Sequence, residues 1–137
     1  MLDVVRTQTM KVLSEEDVLV VRKRVREIAE QRKFDTFAIA AITTATSELA
    51  RNILVHGKGG RVVVEEISDG VRIGIRLAFI DEGPGISDID RVLAGGYSTA
   101  RSMGLGLSGS KRLVDEFSLD SKVGQGTRVT VAKWKRF

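Results

Sequence analysis

The chain has 137 residues and no cysteine, with 22 Lys plus Arg against 18 Asp plus Glu, a net charge of +4. That length suits a single domain over residues 1–137, and the missing cysteine excludes disulfides, thiolate metal sites and cysteine nucleophiles. No apolar run nears the roughly 20 residues needed to span a bilayer, no basic-then-apolar leader opens the chain, and the basic residues scatter rather than cluster beside aromatics, so the expectation is a cytoplasmic protein that binds neither membrane nor nucleic acid.

Val4–Leu13 is rich in β-branched and apolar residues and predicts a first strand. Ser14 then stands where a helix N-cap belongs, with Glu15, Glu16 and Asp17 in the first turn. Val18, Val21, Val25, Ile28 and Ala29 recur at helical spacing, so this helix should reach about Arg32. Asp35-Thr36 offers a second cap. Phe37–His56 lacks Pro and Gly and predicts a long helix, with Gly57 as its stop.

Gly59-Gly60 marks a turn. Arg61–Ile67 and Val71–Asp81 predict two strands joined by the hairpin turn Ser68-Asp69-Gly70. In the second strand Val71, Ile73, Ile75, Leu77 and Phe79 share one face. A short helix is expected around Ile89–Leu93, and a mobile loop over Gly95–Met103. Leu105–Phe117 predicts a helix that turns Leu107, Leu113, Val114 and Phe117 inward. Ser118–Val123 and Thr127–Trp134 follow as strands around the turn Gly124-Gln125-Gly126, and Lys133–Arg136 reads as a solvated strand end. Adjacent hairpins with grouped helices imply the α+β class: a two-layer α/β sandwich, its sheet mostly antiparallel, its helices on one face.

Three groups of residues carry chemistry. Glu48, Asn52 and His56 lie at i, i+4 and i+8, so they stack on one stripe of the long helix. Beside them Ala41, Ala45, Leu49 and Ile53 form an apolar stripe, and the polar one reads equally as the wet face of an amphipathic helix. As a site, Asn52 would offer an oxygen to a hard cation and Glu48 would act as general base. His56 is the sole histidine and takes no catalytic role.

The second group is Asp81-Glu82-Gly83-Pro84-Gly85-Ile86. Asp81 either forms a turn or accepts a hydrogen bond from an exocyclic amine such as that of adenine, while the glycines let backbone pass close to a flat ligand. The third, Gly104-Leu105-Gly106-Leu107-Ser108-Gly109, satisfies G-x-G-x-x-G, yet no apolar strand precedes it and no strand–helix–strand repeat surrounds it, which excludes a Rossmann reading. Glycines opening a helix still present free N–H groups to an anion, with Arg101 or Lys111 adding charge.

The order Glu-x-x-x-Asn, Asp-x-Gly-x-Gly, Gly-x-Gly and a later Gly126-Thr127 resembles the GHKL ATPase/kinase superfamily, whose nucleotide pocket is the Bergerat fold. The resemblance covers about Thr36 to the C-terminus. It implies ATP and Mg²⁺ as cofactors, with Glu48 as catalytic base and Asn52 as the Mg²⁺ ligand. It implies that Asp81 reads adenine, with Gly83, Gly85 and Ile86 in its loop and Thr127 assisting. It implies an ATP lid over Ser98–Met103 that includes Ser98, Thr99 and Arg101, and phosphate contacts at Gly104, Leu105, Gly106 and Leu107.

A sensor histidine kinase of this superfamily needs a phospho-accepting histidine, and His56 lies inside the nucleotide motif instead. Glu48-Leu49-Ala50-Arg51-Asn52 and the run Met103–Leu113 look like the switch kinase of the bacterial stressosome, the RsbT type. That type implies a serine/threonine kinase acting on STAS-domain partners, which then activates a PP2C-type phosphatase, as a monomer or weak homodimer. The sibling anti-sigma factors imply the alternative: a binding module that captures a sigma factor.

Overall fold

A computed structural model describes residues 1–85 and 103–135, and the side chains of all of these except 103–106. Among the described residues eight elements follow one another: β1 (Asp3–Val12), α1 (Glu15–Gln31), α2 (Thr36–Gly57), β2 (Gly60–Ser68), β3 (Ile73–Asp81), α3 (Met103–Leu113), β4 (Glu116–Lys122) and β5 (Gly126–Trp134). The helix expected around Ile89–Leu93 lies outside the described residues, as does the loop expected over Gly95–Met103 apart from Met103, which opens α3.

Local chemistry sets the helix starts. Ser14 Oγ accepts from the Asp17 N–H at 3.2 Å, and Asp17 Oδ2 accepts from the Leu13 N–H at 2.9 Å, a reciprocal cap on α1. Asp35 Oδ1 accepts from the Ala38 N–H at 2.7 Å and caps α2. Asp35→Ala should cost about 1 kcal/mol. For a domain of this size that lowers Tm by roughly 3–5 °C in a thermal melt.

The strands form one antiparallel sheet in the order β1-β2-β3-β5-β4. Val62 and Val64 of β2, Ile75, Leu77 and Phe79 of β3, and Val129 and Val131 of β5 point to one face. There they share a single core with Val18, Val21, Val25 and Ile28 of α1, Ile42, Leu49 and Ile53 of α2, and Leu107 of α3. This is the expected α+β sandwich, with α2 packed between α1 and α3.

Four expectations need correction. β3 starts at Ile73, not Val71: Asp69 Oδ1 accepts from the N–H groups of Val71 and Arg72 at 2.9 and 2.6 Å, which holds both in the turn and leaves Val71 80% exposed. These N–H groups also hold the Asp69 carboxyl at about 2. α3 ends at Leu113, because Glu116 and Phe117 pair with Ala132 and Val131 of β5. The strand end at Lys133–Trp134 is packed rather than solvated: Lys133 Nζ lies 3.7 Å from Asp115 Oδ1, and Trp134 donates through Nε1 to Glu116 at 2.7 Å beneath the Arg72 guanidinium. Gly57 is the last residue of α2 rather than its left-handed stop; that conformation falls on Lys58, at φ 60°.

Candidate functional site

Four elements bring the site together. The C-terminal half of α2 carries Leu49, Asn52, Ile53 and His56 along one side, as a helical repeat dictates. The ends of β3 and β5 bring Asp81 and Thr127 opposite each other in register. Gly85 and Leu107 complete the wall with Phe79 and Val129. The result is a cleft with an apolar floor and a few polar groups, the usual make-up of a small-molecule site.

Asn52 is buried at 8% exposure, and its Nδ2 has no hydrogen-bond partner among the described residues. A buried amide N–H left so costs stability unless an acceptor, such as one on a ligand, satisfies it. Glu48, one turn earlier, is half-exposed and is not part of the cleft wall. Among the described residues no group of three or more His, Cys, Asp or Glu side chains stands ready for a metal. Mg²⁺ commonly takes one or two protein oxygens and fills its octahedron with phosphates and water, and the amide oxygen of Asn52 is a donor of the type it takes.

Asp81 is fixed from several sides. Its Oδ1 accepts from the Gly83 N–H at 2.9 Å. Burial pushes its carboxyl above the ordinary value of 3.8, while the N–H groups of Gly83 and Thr127 and the charge of His56 pull the other way. Burial also pushes the His56 imidazole below 6.5, against the pull of Asp81. Both groups move toward neutrality, so the ion-pair attraction between them weakens and desolvation decides. His56 Nε2 is buried in the same wall, without a partner among the described residues. The Thr127 hydroxyl is held 2.9 Å from Ser121 Oγ, which also donates to the Gly126 carbonyl at 3.0 Å.

Glycines decide how closely the elements meet. A Cβ on Gly57 would fall on Cβ and Cγ of Asp81. A Cβ on Gly83 would lie 2.6 Å from the Gly57 Cα and 2.9 Å from the His56 carbonyl. Gly85 has φ +79° and packs against the Lys122 carbonyl. Gly126, at φ +96°, packs against the Asp81 carbonyl. Asp81 thus sits in a socket of bare backbone.

The structure therefore brings Asn52, Asp81, Gly85, Leu107 and Thr127 into one cleft, with Gly83 behind Asp81. Gly104, Leu105 and Gly106 lie in the first turns of α3, whose backbone alone is described there. Ile86, Ser98, Thr99 and Arg101 lie outside the described residues. Sequence reasoning missed Gly57 as a contact of Asp81 and Ser121 beside Thr127, and it set His56 on the Glu48–Asn52 stripe without a place in the cleft. Ser121 carried a signal, since it faces Thr127 across the hairpin of β4 and β5. Gly57 had none, because Asp81 is distant in sequence.

Residues 38–136 match the family described as histidine kinase-, DNA gyrase B- and HSP90-like ATPases. The chain belongs to this ATPase family. It is 42% identical over 127 residues to the serine/threonine-protein kinase RsbT of Bacillus subtilis, covering 93% of this chain and 96% of that one. It is 33% identical over 102 residues to an anti-sigma F factor of a Thermoanaerobacter species, covering 70% of each. Among solved structures, it resembles that of RsbU and RsbW domains from Mycobacterium tuberculosis with a TM-score of 0.67 at 23% identity, over 97% of this chain and 34% of that one. The SiaB–SiaC complex of Pseudomonas aeruginosa gives 0.57 at 12% identity, over 96% of this chain and 90% of that one. Both confirm the fold of this ATPase. Family membership brings use of ATP, and among the described residues no helix is long and apolar enough to cross a membrane.

Proposed function

We propose that this chain is a serine/threonine protein kinase of a partner-switching module. It transfers the γ-phosphate of ATP to Ser or Thr of a STAS-domain partner and, once released, activates a PP2C-type phosphatase. One observation carries this reading: Asn52, Asp81 and Thr127 converge on a single cleft in a chain that matches a serine/threonine-protein kinase over 93% of its length.

The roles follow from the positions. The Asp81 carboxylate accepts a hydrogen bond from the adenine amine, and Thr127 assists from β5. By the family resemblance, the backbone at Gly104 and Gly106, where α3 begins, would face phosphate oxygens, since a helix N-terminus attracts anions. Asn52 would hold Mg²⁺, which spreads the charge of the phosphate oxygens when bound. Glu48 takes the proton of the partner's hydroxyl as that oxygen bonds to the γ-phosphorus. The bond from the γ-phosphorus to the bridging oxygen breaks and ADP leaves. Such transfer is mostly positioning and electrostatics, so few side chains suffice.

Labelled ATP with a purified STAS-domain protein tests the proposal. Label on a partner Ser or Thr is expected. A tight complex without label overturns the kinase reading and favours the second one, capture of a sigma factor, which draws on the anti-sigma F relatives.

The pH dependence of nucleotide binding tests Asp81 separately. The amine-accepting form is the ionised one, and burial raises the pKa of this carboxyl above 3.8. ATP affinity should therefore begin to fall at a higher pH than an unperturbed aspartate would give as the solution is acidified. Asp81→Asn should bind at least about tenfold more weakly, the loss of one charge-assisted hydrogen bond. It should also lose that acid limb, leaving only the titration of the phosphate. Calorimetry across pH reads both, and wild-type affinity in the variant would remove Asp81 from the pocket.

A further inference from the structure

Among the described residues, the cation paired with Glu48 is Arg51, whose Nη1 lies 3.8 Å from Glu48 Oε1. The same guanidinium places Nε 3.8 Å from Glu15 Oε2. Glu15 is the first residue of α1, in the turn that Ser14 caps. One planar cation therefore bridges a carboxylate of α2 and the first turn of α1. Glu48, Arg51 and Asn52 stand at i, i+3 and i+4, so all three belong to the same sector of the helix. Asn52 is buried, whereas Arg51 and Glu48 remain 42% and 43% exposed in their side chains.

We propose that Arg51 is a positioning residue for Glu48, oriented in turn by Glu15. The inference rests on the reading of Glu48 as the base. A half-exposed carboxylate next to a triphosphate faces like charge and has many rotamers. A guanidinium held beside it offsets the repulsion and narrows the rotamer choice. The fork of Arg serves two carboxylates at once, which the point charge of Lys does not.

The magnitudes are bounded by geometry. Both contacts are longer than hydrogen bonds, and Glu15 is 68% exposed in its side chain. Exposed ion pairs of this kind contribute a factor of about two to five each.

Steady-state phosphorylation of a STAS-domain protein tests the inference. Arg51→Gln should lower kcat about fivefold, with KM for ATP and the melting temperature unchanged, and Arg51→Lys should restore part of the loss. Glu15→Gln should lower kcat about twofold in the wild-type background and have no effect in the Arg51→Gln background. Raising salt should erase the Glu15 effect, because an exposed pair is screened. A wild-type kcat in Arg51→Gln, or a Glu15 effect of equal size in both backgrounds, overturns the proposal. Glu48→Gln separates the two levels. If it abolishes transfer while Arg51→Gln does nothing, only the positioning role fails. If Glu48→Gln transfers normally, the base assignment fails and this inference with it.

Discussion

Glu48→Gln should bind ATP within about twofold of wild type and phosphorylate its partner about 10²–10⁴-fold more slowly, the range spanned by general-base catalysis. The structure motivates the split. Glu48 lies one helical turn from the buried Asn52 but outside the cleft wall, where its side chain is 43% exposed. A group at the mouth of the cleft reaches an incoming hydroxyl without contributing to nucleotide contact. Single-turnover transfer of labelled phosphate, with ATP affinity from calorimetry, reads the two quantities separately. A parallel loss of ATP binding would make Glu48 a ligand-holding group instead.

Gly57→Ala sets two effects of opposite sign against each other. Gly57 is a helical residue, and replacing Gly by Ala in a helix interior stabilises by roughly 1 kcal/mol. The added methyl, however, would fall on Cβ and Cγ of Asp81. Asp81 cannot easily retreat, because it is paired across β3 to Gly60 and Thr127 and hydrogen-bonded to Gly83. Overpacking of this kind costs about 1–3 kcal/mol, so the clash should win. The expected result is a lower Tm together with ATP affinity reduced by more than about tenfold. A raised Tm with wild-type affinity would show that Asp81 has room to move, and that propensity governs position 57.

What was legible in the sequence was mostly local. Ser14 and Asp35 announced their helices because a cap acts within three residues. The inward stripes of α1 and β3 followed from their periods. The two overruns have different causes, one local and one distant. Val71 continues the alternation of β3, but the Asp69 carboxylate captures its N–H within the turn. Phe117 continues the apolar pattern of α3, but its partner Val131 is fourteen positions away on β5. The cleft was legible as an ordered series of motifs, with Asn52, Asp81 and Thr127 named in advance. Its close packing was not. The contact between Gly57 and Asp81 joins the end of a helix to the end of a strand, and no periodicity encodes it.

Asp81 touches, through bare backbone, the end of α2 at Gly57, the segment just past β3 at Gly83 and the start of β5 at Gly126. Its socket forms only when chain separated by some seventy positions has been gathered, from Gly57 to Gly126. The pocket is consequently a reporter of folding: a partly unfolded chain has no site to offer. Nucleotide then acts as a thermodynamic brake on unfolding of the whole domain. At a hundredfold excess over its Kd, a ligand bound only by the native state adds about 2.7 kcal/mol. The supply of nucleotide would set how long this chain lasts as well as how often it acts.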